Sequence, residues 1–322
     1  MSNSAEVDVM SDSGRSETSS PLLSMSQQEG RALARHGLMD RLFKNGTGAL
    51  AILVLVLLGG IMLSLLISSW PALVTYGGQF FTENRWAPNQ QVFGALPAIY
   101  GTLITSLIAV VIAVPVSFGI AIFLTELCPA VLRRPLGVTV ELLAGIPSII
   151  YGMWGVLVLA PLLQWLSPTI FPTGTGLLTA GIILAVMIIP FITATVRDVM
   201  NTVPAVLRES AYGVGCTTWE VVRSVVLPSI RVGMVGGVIL GLGRALGETM
   251  AVTFVIGNNL FFSATLTGQG TSIAALIATQ FNESTGVQRS ALLALGLILF
   301  LITFAVLACA RLMLKRMQRR MP

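Results

Sequence analysis

The stretch Val232-Gly-Met-Val-Gly-Gly-Val-Ile-Leu-Gly-Leu-Gly-Arg-Ala-Leu-Gly-Glu-Thr-Met-Ala-Val-Thr-Phe-Val-Ile-Gly257 is apolar enough to span a membrane, yet it carries one guanidinium, Arg244, and one carboxylate, Glu248. It exceeds the roughly 20 residues a helix needs to cross the hydrocarbon of a bilayer. Either charge costs several kcal/mol in that solvent, so its presence there marks a function or a partner.

Composition agrees with a chain built for lipid. Hydrophobic residues make up 54% of the sequence and charged residues 10%, whereas soluble domains carry about 25% charged residues. The net charge of +5 does not point to nucleic acid, because the basic residues flank apolar runs, where membrane topology places them.

Six runs are long enough to span: 47–69, 98–124, 137–166, 177–196, 232–257 and 291–310. Their continuity excludes the alternating pattern of a barrel, and lipid leaves helices as the remaining solution. The predicted fold is an all-α integral membrane protein with six transmembrane helices. Residues 1–46, Ser-rich and acidic at their start, read as a disordered cytoplasmic tail. Residues 47–315 form the membrane domain, with a cytoplasmic connection at 197–231, and 316–322 form a basic tail. Fifteen Lys and Arg near span ends fall on the side of the termini and only Arg85 and Arg289 on the other, which places both termini in the cytoplasm.

Pro115, Pro147 and Pro190 interrupt spans. Pro115 and Pro190 suit packing kinks, and Pro147 a bend near a pathway. Glu141, near the cytoplasmic end of its run, suits a snorkelling or capping role. Cys128, Cys216 and Cys309 lack metal-ligand spacing, and no phosphate loop of the Gly-x-x-x-x-Gly-Lys-Ser/Thr type is present, so ATP has no site in this chain. Trp70 and Trp86 suit interfacial anchors, and residues 272–281 a short interfacial helix on the outer side.

The connection at 197–231 carries its own punctuation. Pro204 suits the start of a short helix, Gly213 and Gly215 its end, and Thr217 with Glu220 forms a capping box for a second. Two short helices meeting at a glycine turn on the cytoplasmic face imply docking on a partner.

Glu209, Ser210, Ala211, Gly215, Leu227 and Pro228 resemble the Glu-Ala-Ala…Gly…Ile-x-Leu-Pro signature of permease subunits in bacterial ATP-binding-cassette importers, with Ser210 and Val225 as mild departures. Ile146-Pro-Ser-Ile-Ile-Tyr-Gly152, Glu209-Ser-Ala-Tyr-Gly-Val-Gly-Cys-Thr-Thr-Trp-Glu220 and the Arg244–Glu248 element narrow the resemblance to PstC-type permeases, over essentially residues 47–315. The resemblance implies a type I importer permease fold and a complex with a PstA-like permease, two PstB-like ATPase subunits and an extracytoplasmic phosphate-binding protein. In that complex Mg-ATP is bound by the ATPase partners, and the 197–231 connection serves as their coupling helix. Other oxyanions, or a proton- or sodium-coupled anion carrier, remain the alternatives.

On an uninterrupted helix, Gly237, Gly241, Arg244 and Glu248 fall within about 60° of arc. Gly233, Gly237 and Gly241 form small-xxx-small steps. Such a face either packs closely on another helix or leaves room for a ligand beside the charges. Spacing leaves Arg244 and Glu248 as either a mutually neutralising structural pair or a transport station. The resemblance favours the station, in which Arg244 draws phosphate through and Glu248 keeps Arg244 paired when the path is empty.

Overall fold

The computed structural model describes the backbone of residues 21–318 and the side chains of 42–316, and the protein is helical almost throughout. Helix α1, Pro21–Tyr76, runs without a break across the boundary expected at residue 46. The stretch before that boundary holds Ala, Leu, Met, Arg and Lys, all strong helix formers. Residues 1–20, and 319–322 of the basic C-terminal tail, lie outside the described residues. The chain divides near Ile61, and from Met62 onward it forms a packed body.

A short helix α2, Gln79–Thr82, leads into a two-stranded hairpin in which Trp86 of β1, Trp86–Ala87, pairs with Phe93 of β2, Val92–Phe93. Then follow α3, Leu96–Ile122; α4, Ala130–Ala144; α5, Ser148–Trp154; α6, Ala160–Leu166; and α7, Leu177–Asn201. The connection after α7 holds α8, Ala205–Gly213; α9, Thr218–Val221; and α10, Leu227–Ser229. The chain ends with α11, Arg231–Leu246; α12, Met250–Val255; α13, Ile273–Gln280; and α14, Gly286–Gln318. Among the described residues, five helices are long and apolar enough to cross a membrane, and a sixth span needs the segments that meet α11 at a bend.

The runs at 137–166 and 232–257 are therefore not single helices. The first breaks at Gly145–Pro147, which ends α4 and starts α5, because Pro147 offers no amide to continue the ladder. The Tyr151 hydroxyl donates to the Leu143 carbonyl across the break at 2.7 Å. Pro115 and Pro190, by contrast, sit inside continuous helices.

Helix α7 is the central element, two thirds buried. Against it lies a face of α3 made of small side chains at every fourth position: Gly101, Thr105, Ala109, Ala113, Ser117 and Ala121 are all buried. Lipid gives little hydrophobic drive for helices to associate, so close backbone approach through small residues supplies the dispersion contacts instead. Where hydroxyls occur on this face they are spent within the protein, Thr105 Oγ1 donating to the Gly101 carbonyl at 2.7 Å and Ser117 Oγ to the Ile189 carbonyl of α7 at 3.2 Å.

A second core closes the opposite end. Phe80, Trp86 and Phe93 pack with Ile273 and Leu276 of α13 and with Leu292, Leu295 and Ile298 of α14. Trp86 is 2% exposed and its indole donates to Gln280 Oε1 at 2.8 Å, so it is a core residue rather than an interfacial anchor, whereas Trp70 stays exposed. Helix α13, expected at the interface, is buried on its first turn. Ser272 Oγ caps it by accepting from the Ala275 amide at 3.2 Å, and Thr102 Oγ1 of α3 accepts from the Ile273 amide at 2.9 Å. These two hydroxyls satisfy the first-turn amides that water satisfies at a surface, while apolar side chains surround the helix.

The carbonyl of Thr271 lies against the bare Cα of Gly101, and any Cβ there displaces it. Gly101→Val is expected to destabilise the protein by about 2 kcal/mol or more. A lowered midpoint in detergent thermal unfolding checks this, with Gly119→Ala, on an open face, as the neutral control.

Candidate functional site: Arg244 and the 197–231 connection

Helix α11 presents its glycine face to α7. A Cβ on Gly241 meets Ile192 Cδ1 at 2.7 Å, one on Gly237 meets Thr195 at 3.4 Å, and one on Gly233 collides with Val199. Of the two roles open to this stripe, the structure takes close packing. Gly237 and Gly241 hold α11 against α7 and do not face an open path.

The common stripe of Gly237, Gly241, Arg244 and Glu248 also ends early. Helix α11 stops at Leu246, and Gly247, Glu248 and Thr249 separate it from α12. Gly247 lowers helix propensity, while Glu248 and Thr249 both hydrogen-bond local backbone and so compete with the helix ladder. Glu248 Oε1 accepts from the Ala251 amide at 3.2 Å, and Thr249 Oγ1 donates to the Gly247 carbonyl at 3.5 Å. Glu248 is thus a cap for α12 and is not paired with Arg244. Among the described residues Arg244 makes no salt bridge at all.

Arg244, in the last turn of α11, instead lays its guanidinium over the Phe191 ring of α7, 4.4 Å from the centroid, and its buried Nε has no hydrogen-bond partner. The ring's negative face offsets part of the cost of desolvating the cation. Beside it is a cavity of about 410 Å³ lined by Phe191, Ile239, Leu240, Leu307 and two cations, Arg244 and Arg311. A cavity with apolar walls and two guanidiniums is a place for an oxyanion, since guanidinium donors match tetrahedral oxygens in pairs. Phe191 and Arg311 escape sequence reading, because nothing in their local context marks them as neighbours of Arg244.

The connection at 197–231 has the geometry its punctuation predicts. Pro204 precedes α8, Gly215 turns the chain at φ +91°, and Thr217 and Glu220 form the reciprocal capping box. The Thr217 amide donates to the Glu220 carboxylate at 2.8 Å and its hydroxyl at 2.9 Å, which holds that carboxyl below its usual range. Glu209 and Ser210 face outward and Ala211 is buried against the body. Leu227 and Pro228 open α10, half-buried, and the segment Thr218–Ser229 meets α11 at 74°. Val206, Leu207, Tyr212, Val214 and Trp219 are exposed, so the cytoplasmic side of this unit is apolar.

What anchors α8 is Arg208, which the sequence marks only as a topological charge. Its Nη2 donates to the Met200 carbonyl at 2.8 Å and its Nη1 to the Val203 carbonyl at 3.0 Å, closing the C-terminal end of α7. Its Nη2 also lies 3.2 Å from Oε1 of Glu126, a 7% exposed carboxylate in the π-helical turn Phe123–Leu127 that follows α3. One guanidinium therefore ties the connection to α3 and α7 together. Glu141, expected to snorkel or cap, pairs with Arg197 of α7 at 2.5 Å instead. Among the described residues, no group of three or more His, Cys, Asp and Glu could hold a metal ion.

Residues 117–320 match the family model described as binding-protein-dependent transport system inner membrane component. The chain belongs to that family of multi-pass inner-membrane permease subunits, and within it to the PstC-type permeases. The phosphate transport system permease protein PstC of Mesorhizobium japonicum is 58% identical over 89% of this chain and 93% of its own, and that of Pasteurella multocida is 53% identical over 88% and 94%. Among solved structures, a bacterial ABC transporter that imports alginate superposes with a TM-score of 0.60 at 17% identity, covering 88% of this chain and 99% of that one. The inward-facing MetNI methionine ABC transporter superposes at 0.55 and 18%, covering 68% and 94%. These distant likenesses establish the type I permease fold.

Two substitutions test the arrangement. Gly241→Leu is expected to lower folded yield and the thermal midpoint by pushing α11 off Ile192, where an open ligand face tolerates the bulk. Arg208→Ala leaves Glu126 buried and unpaired, a loss of about 3 kcal/mol or more. In the assembled transporter, ATP hydrolysis by Arg208→Ala is expected to persist with less transport per ATP, measured as the ratio of the two rates.

Proposed function

We infer that this chain is the permease subunit that translocates inorganic phosphate inward across the cytoplasmic membrane, driven by ATP hydrolysed in separate subunits. The observation that carries this reading is Arg244, a half-buried cation without a counter-ion among the described residues, set on Phe191 at the cavity it shares with Arg311. An anion entering that cavity supplies the missing charge. The names of the relatives make phosphate the anion of choice.

The remaining parts follow from the same reading. A PstA-like permease stands beside this chain and completes the path. Two PstB-like ATPases bind the Mg-ATP that this chain has no site for, and one docks on the apolar surface of α8 and α9 around Tyr212, Val214 and Trp219. An extracytoplasmic phosphate-binding protein delivers substrate to the end closed by the hairpin and α13. When the ATPases close on ATP, α8 moves, and the Arg208 anchor carries that motion into α3 and α7. A proton- or sodium-coupled carrier has no use for an apolar cytoplasmic docking surface held in this way, which favours the ATP-driven reading.

Phosphate uptake in cells lacking other phosphate systems tests the assignment. Arg244→Gln is expected to lower uptake about 10- to 100-fold, the worth of a charge-assisted contact made during passage, while the ATPase still co-purifies. Normal uptake by the assembled variant refutes the role of Arg244. Glu209→Lys and Gly215→Asp are expected to weaken ATPase co-purification, since both disturb the docking unit without touching the cavity.

A further inference from the structure

We propose that the cytoplasmic ends of α3, α4 and α7 form a second anion site, which takes a phosphate group presented by free inorganic phosphate or by an acidic phospholipid. The cavity between these ends measures about 370 Å³, and its polar lining comprises Thr125, Arg133, Arg134, Glu141, Arg197 and Asn201. At ~30 Å³ per water it has room for about a dozen waters, so a partly hydrated oxyanion fits. It shares no lining residue with the cavity beside Arg244. Arg197 lies six residues beyond Phe191 on α7, about 120° further round the helix, so the two cavities open on different faces.

The cations in this site are not equivalent. Arg197 is fixed: Gly137 of α4 leaves the gap in which its guanidinium lies, Glu141 pairs with it at 2.5 Å and Asp198 at 3.2 Å. Both nearby carboxylates are therefore already engaged. Arg133 and Arg134, in the first turns of α4, have no carboxylate within ion-pairing distance among the described residues. Topology demands basic residues on this connection, but it does not demand that they converge with Arg197 and the Asn201 amide on one cavity. Two unmatched guanidiniums converging on one cavity are the donor set for a phosphate group.

The surroundings suit either source of that phosphate. Helix α4 exposes Val131, Leu132, Leu136 and Leu142 next to the cavity, an apolar surface on which acyl chains lie while a headgroup reaches the arginines. The cavity is also open at the cytoplasmic face, where free phosphate arrives.

The test uses the assembled transporter as wild type, Arg133→Gln/Arg134→Gln and Arg133→Lys/Arg134→Lys. In one arm, equilibrium dialysis in neutral detergent measures binding of radiolabelled inorganic phosphate. In the other, native mass spectrometry counts lipid retained after exposure to phosphatidylcholine vesicles with or without phosphatidylglycerol. The expected result is retention in one arm that falls about 30-fold in the Gln pair and returns in the Lys pair. The arm that responds identifies the source, and the Lys pair separates loss of the site from loss of the fold. Retention that the Gln pair leaves unchanged, or no retention above phosphatidylcholine alone in either arm, overturns the proposal. Phosphate binding that Arg244→Gln removes and the Gln pair spares belongs to the pathway, and it overturns this site while leaving the pathway reading intact.

Discussion

The close approach of α3 and α11 to α7 is the constraint on which the rest depends. Each meets α7 through residues with little or no side chain, Gly101 to Ala121 on α3 and Gly233, Gly237 and Gly241 on α11. In lipid this approach takes the place that burial from water has in a soluble core. It has a chemical consequence as well. The glycine face of α11 is consumed by packing, and Arg244, in the same arc of the helix but three residues beyond Gly241, lies over Phe191 beside the Arg-lined cavity. There the guanidinium has a ring on one side and open volume on the other.

Much of this was legible in the sequence. Length and apolarity locate the helices, the positions of Lys and Arg orient them, and local turn chemistry builds the connection at 204–220 as read, down to the reciprocal bonds of Thr217 and Glu220. These features depend on residues within a few positions of one another. Periodicity fails at Gly145–Pro147 and at Gly247–Thr249, where hydropathy stays high while the backbone breaks. A hydropathy reading registers solvent preference and is blind to a three-residue change of backbone direction. The Arg244–Glu248 stripe requires an unbroken helix, and α11 ends at Leu246.

What the sequence hides are partnerships between distant positions. Arg208 and Glu126 are 82 positions apart, and Glu141 and Arg197 are 56 apart. In one sequence each of these residues has a local explanation as a topological or interfacial charge. Packing supplies the other one, in which the ends of α3, α4 and α7 are clamped by two ion pairs while the membrane interior of α7 has none among the described residues. The cytoplasmic ends are thus held by ion pairs and the membrane interior by close small-residue contacts.

The position of Glu248 bears on how one anion is told from another. A guanidinium and an aromatic ring favour any tetrahedral oxyanion and do not separate phosphate from sulfate. Near neutral pH phosphate still carries protons and sulfate carries none, so an acceptor in the path recognises what only phosphate can donate. Glu248 is the one carboxylate in 232–257, and no cation claims it among the described residues. Its recorded bond is a single one, to the Ala251 amide. A carboxylate locked to Arg244 has its lone pairs spent, while one that caps a short helix in a break keeps acceptor capacity free. The break that removes Glu248 from Arg244 thus leaves a carboxylate with acceptor capacity that an ion pair would have taken up.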